Sequence, residues 1–163
     1  MDVGAWLDEG LLDYVTPMIY QPSVIDPDLP LDWIVNAAHA NDTSVYPMMH
    51  PDYTDEDRRF HTRESATVEM WRAAASNYID RGVDGLYTWF LPWPLGARER
   101  GILADRADLR RAGTGNKRYR LMRRNKNAAA IGYDCVIPLQ IPAAAPGKFY
   151  SIPFYISDDA QRA

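Results

Sequence analysis

The chain has 163 residues, 47% hydrophobic and 25% charged, with 18 basic and 22 acidic side chains. That is enough for one ordinary domain with a real core, and too apolar for a disordered chain. The net charge of −4 gives no electrostatic reason to expect nucleic acid or an anionic membrane as partner, and no apolar run is long enough to span a bilayer. Cys135 is the single cysteine, which excludes an internal disulfide and disfavours thiolate metal sites; in a predicted strand it reads as a small buried apolar residue. Met1-Asp2-Val3-Gly4 lacks the basic start and apolar run of a signal peptide.

In chain order, Val3 to Leu12 reads as the end of a helix, with Gly10 as a stop. Asp13 to Tyr20 is β-branched and aromatic, a buried strand whose Pro17 marks a bulge or a position outside the fully laddered centre. Gln21 to Pro30, rich in proline and aspartate, is an irregular loop. Leu31 to Asn41 has apolar residues at helical spacing, and Thr43 to His50 is a second strand of the same style. Pro51 to Arg63 reads as a charged loop. Thr62 or Ser65 would cap a helix running to about Arg81, with Val68, Trp71, Ala74, Ala75, Tyr78 and Ile79 as its apolar stripe and Gly82 as its left-handed stop. Trp6, Trp33 and Trp71 fall on helices and are expected in the core. Val83 to Phe90 is the third strand, and a short helix follows near Arg98 to Leu109.

The order α-β-α-β-α-β has connections long enough for right-handed parallel crossovers, and its strands are apolar on both faces, as a parallel sheet covered by helices requires. Beyond Lys117 the pattern changes. Tyr133 to Ile141 and Phe149 to Ile156 read as an antiparallel hairpin of a separate β module, and the basic cluster Arg118 to Lys126 as a solvated strand or loop. The expected division is therefore 1–116 and 117–163.

Three βα units fit a doubly wound sheet or a barrel. No G-x-G-x-x-G or Walker loop occurs, and the strands end in large side chains, where barrels place their ligands. Trp6-Leu7 with Gly10-Leu11-Leu12-Asp13-Tyr14-Val15-Thr16-Pro17-Met18-Ile19-Tyr20, and Tyr78 with Gly82-Val83-Asp84-Gly85-Leu86-Tyr87, resemble late-strand and final-strand signatures of glycoside-hydrolase-like barrels grouped near family 10 glycosyl hydrolases. The resemblance covers roughly residues 3 to 120. It implies an α/β fold, the last three β/α units of a TIM-type (β/α)8 barrel, followed by a short antiparallel β segment. It also implies sugar-polymer substrates, carboxylate catalysis and a secreted or periplasmic bacterial protein. A complete barrel needs roughly 200 or more residues, so the main catalytic carboxylates are expected on earlier strands.

Glycosidases set two carboxylates on either side of the scissile bond. Asp52, just past the second strand, is the catalytic candidate, with a plain loop aspartate as the alternative. Tyr20, Gln21, His50, Trp89, Phe90 and Trp93 are the substrate-binding candidates, because sugar C–H faces stack on aromatic rings while hydroxyls need fixed polar partners. Asp13 and Asp84 open their strands at the opposite end and are expected to tie backbone there. Asp55, Glu56 and Asp57 with Arg58 and Arg59 read as a solvated loop. No metal-ligand spacing links His39, His50 and His61, and no G-x-S-x-G elbow occurs, so neither metal nor cofactor is expected. A non-catalytic carbohydrate-binding or surface-interaction module is the competing reading.

Overall fold

The computed structural model describes residues 2–18, 25–50, 52–54, 63–89, 91, 93–107, 114–120, 147, 149 and 154–158. Four helices and six short strands occur along them. They are α1 (Val3–Asp8), β1 (Tyr14–Val15), α2 (Asp32–His39), β2 (Ser44–Val45), β3 (Met48–Met49), β4 (Asp52–Thr54), β5 (Arg63–Ser65), α3 (Val68–Asp80), β6 (Tyr87–Thr88) and α4 (Ala97–Ala107).

The parallel arrangement follows the sequence pattern. β1 pairs with β2, Tyr14 opposite Ser44, and β3 pairs with β6, Met48 opposite Tyr87. Further rungs join these pairs into one run of three segments with 44–49 in the middle. On one side, the amides of Ser44, Tyr46 and Met48 donate to the carbonyls of Asp13, Val15 and Pro17. On the other, the amides of Asp84, Tyr87 and Trp89 donate to Val45, Pro47 and Met49. The two prolines explain why the segments are so short. Each keeps its carbonyl as an acceptor and lacks the N–H of the next rung, so the ladder breaks without changing direction.

Helix ends also obey local chemistry. The Asp2 carboxylate accepts from the Ala5 amide at 3.1 Å and opens α1. Thr67, rather than Thr62 or Ser65, caps α3, its hydroxyl accepting from the Met70 amide at 3.4 Å. Gly82 follows α3 with φ +87°, the left-handed conformation a helix stop requires.

Side chains alternate across the strands, giving the sheet two unlike faces. Val45, Met49 and Leu86 pack into the core with Ile34 and Val35 of α2 and Trp71, Ala74 and Tyr78 of α3. The other face carries Tyr14, 61% exposed, stacked edge-on against Tyr46 at 6.0 Å, and Tyr87, 45% exposed. Gly85 lies beneath Tyr46, where a Cβ would sit 3.0 Å from the ring.

Three expectations need correction. The expected loop of residues 51–63 includes β4 and the first residue of β5, which form an antiparallel pair with Tyr53 opposite Glu64. Trp33 is 60% exposed and Trp6 38% exposed; only Trp71, at 4%, is core. Trp33 follows Asp32 on the outer side of α2, away from the stripe of Ile34, Val35 and Ala38 that packs into the core. The expected 133–141 strand, Cys135 and the 55–59 charge run lie outside the described residues, as does most of the 149–156 strand.

Two later segments lie along α3. The Arg118 amide donates to the Glu69 carbonyl at 3.0 Å. Lys117 pairs with Asp158 at 2.6 Å, and Tyr119 meets Phe154 edge-on. Burial pushes the Tyr119 phenol up to about 12, with the Asp158 carboxylate adding to it. Tyr155 stacks under the Arg81 guanidinium at 4.2 Å and donates its hydroxyl to Asp80. Among the described residues no helix is long and apolar enough to cross a membrane.

Candidate functional site

The carboxyl ends of adjacent parallel segments bring three of the predicted residues into one region. His50 follows β3 directly and is buried, 3% exposed. Trp89 follows β6, half-buried, its amide donating to the Met49 carbonyl at 3.2 Å, so it lies across the ladder from the residue before His50. Asp52 is half-buried at the start of β4, where its carbonyl accepts from the Ile25 amide at 2.8 Å. That bond ties the loop from the first strand to the end of the second. Trp93, 84% exposed, stands in the connection from β6 to α4. Tyr20, Gln21 and Phe90 lie outside the described residues.

The loop that reaches Asp52 is held from below. The Asp26 carboxylate accepts from the Asp28 amide at 2.9 Å and closes a tight turn. The Asp26 carbonyl accepts from the Tyr78 hydroxyl, and Asp28 pairs with Arg81 at 2.9 Å. Asn77 is fully buried and donates to the Pro27 carbonyl at 2.7 Å.

The other end of the strands holds a pair that sequence reading half anticipated. The Asp84 carboxylate accepts from the Val45 amide at 2.7 Å, the backbone tie expected of it. It also bonds His39 Nε2 at 2.9 Å, and this partner was not foreseen. Burial pulls the Asp84 carboxyl upward, but the hydrogen bonds from His39 and Val45 outweigh it and leave it below its ordinary value. The available signal was positional. His39 closes the helix that feeds the middle strand, and Asp84 opens the strand beside it. A polar depression of about 310 Å³ lies there, lined by His39, Asp42, Thr43, Ser44 and Asp84. Asp42 turns the chain into it with φ +53°.

A second hollow lies between sheet and helices, against Met49, Trp71, Leu86 and Ile102, beside the ion pair of Arg72 and Asp105. Its volume of about 20 Å³ would admit a single water and nothing larger. Among the described residues no three His, Cys, Asp or Glu side chains gather in a way that could hold a metal ion. No family model matches the chain, and no curated protein matches it significantly.

Proposed function

We propose that this chain supplies consecutive β/α units of a (β/α)8 barrel of the glycoside-hydrolase-like class, and that the carboxyl ends of its strands contribute one sector of a carbohydrate-binding rim. The observation that carries the reading is the order of the strands. Three parallel segments lie side by side in sequence order, which is how a barrel grows, and His50, Asp52 and Trp89 come to the same end. A doubly wound sheet also contains three strands in sequence order within one half, and the absence of a G-x-G-x-x-G or Walker loop favours the barrel over it. The face bearing Tyr14, Tyr46 and Tyr87 fits a barrel interior, since parallel sheets bury both faces.

In this reading Trp93 and Trp89 offer apolar surfaces to sugar rings, and His50 and Asp52 supply polar partners for hydroxyls. Hydrolysis requires two carboxylates about 5–5.5 or 6.5–9.5 Å apart. Asp52 supplies at most one, and we place the principal pair on strands outside this chain.

Affinity electrophoresis through gels containing a panel of neutral and acidic polysaccharides tests the proposal. At least one polysaccharide should retard the protein, and the retardation should fall in Trp93→Ala. It should survive in Trp33→Ala, whose ring is exposed on the outside of α2. Retardation that persists when Trp89 and Trp93 are both replaced, or is absent across the panel, would remove the basis for a carbohydrate rim.

A further inference from the structure

We propose that residues 154–158 form a strap whose docking on α3 is coupled, through Asn77, to the loop that reaches Asp52. The connection can be followed atom by atom. The Ser157 amide donates to Asn77 Oδ1 at 2.9 Å, and Asn77 Nδ2 donates to the Tyr155 carbonyl at 2.9 Å. The same Nδ2 donates to the Pro27 carbonyl at 2.7 Å. One fully buried amide thus serves the strap on one side and the loop on the other. Turning it toward either partner abandons the other, and an abandoned buried group bears the full desolvation cost. Beyond Pro27, the Ile25 amide bonds the Asp52 carbonyl at 2.8 Å. Strap, helix, loop and strand end therefore form one sequence of hydrogen bonds.

The strap is the member able to move. Its anchors are mainly hydrophilic: Ser76, which meets the Ser157 hydroxyl at 2.9 Å, Asn77 and Asp80 on α3, Arg81 just after it, and Lys117 on Asp158, with an edge-on aromatic contact between Phe154 and Tyr119. Water can replace such partners when the strap lifts, whereas it cannot replace the apolar contacts of the Val45, Met49 and Trp71 core. Local opening at lower cost than global unfolding follows. When the strap lifts, Asn77 loses two of its three partners, and its hold on Pro27 relaxes. The functional consequence, a looser approach to Asp52, rests on the carbohydrate reading; the coupling itself does not.

Hydrogen exchange of the full chain, followed by mass spectrometry without any ligand, tests it. Ser157→Pro removes the amide that donates to Asn77. Exchange should accelerate about tenfold in 154–158 and also in 25–29, with 44–49 unchanged. Tyr155→Phe, which removes only the hydroxyl on Asp80, should move both segments in the same direction by less. It decides the matter if Ser157→Pro fails to fold. Acceleration in 154–158 with 25–29 unaffected would overturn the coupling. Uniform acceleration throughout would overturn the idea of a separately opening strap.

Discussion

Replacing Asn77 with alanine puts the polar seam to a quantitative test. The side chain makes three hydrogen bonds, to Pro27, Tyr155 and Ser157, from a fully buried position. Each bond contributes about 1 kcal/mol net, so their loss costs about 3 kcal/mol, and the Pro27 carbonyl is left buried without this donor. Against this, alanine is the better helix former by about 0.6 kcal/mol at an interior position of α3. The net destabilisation is therefore about 2–3 kcal/mol. With a urea slope of about 1–3 kcal/mol/M, the midpoint should fall by about 1–2 M with little change in slope. Asn77→Asp should be no milder, because it keeps the shape and loses both donors while adding a buried charge. A midpoint for Asn77→Ala within error of the parent would show that these bonds contribute nothing net, and the account of how α3 holds the loop would fall with them.

Other outcomes follow from the same geometry. Asp84 has a folded-state pKa below its unfolded value, so its contribution is complete above roughly pH 4 and is lost as pH falls through the lowered value. Asp84→Asn should flatten the acid limb of a stability–pH curve, and an unchanged limb would refute the assignment. Gly82→Ala should cost about 1–2 kcal/mol in a urea melt. The cause is the backbone at φ +87° rather than crowding, since the nearest atom to a new Cβ would be Val35 Cγ1 at 3.6 Å. The chain by itself should associate, because Tyr14 and Tyr87 present an exposed aromatic face. Size exclusion over a hundredfold concentration range should show growing species, and a single monomeric peak at every concentration would contradict this.

Periodicity made the helices and the direction of the strands legible. The stripe on α3 is an example: Trp71, Ala74, Ala75 and Tyr78 are all buried. The β4–β5 pair was not legible, because charge and turn residues dominate 51–63 and mask a short antiparallel register. Nor was the exposure of Trp33 and Trp6, since hydrophobicity reports a residue's preference and says nothing of what packs against its side of the helix. Of the candidate site, chain order alone implied that His50, Asp52 and Trp89 share an end of the sheet. The His39–Asp84 pair needed the third dimension, as its members are 45 residues apart and meet only because neighbouring strands are parallel.

The interrupted ladder in the middle segment carries a mechanical consequence. Above Pro47 the sheet is stitched by the amides of Met48 and Trp89, and below it by the amides of Ser44, Tyr46 and Asp84 with the Asp84 carboxylate on Val45. The missing Pro47 N–H leaves out a rung at this joint, although its carbonyl still accepts from Tyr87, so fewer of these bonds hold the upper portion bearing His50 than the lower portion beside α2.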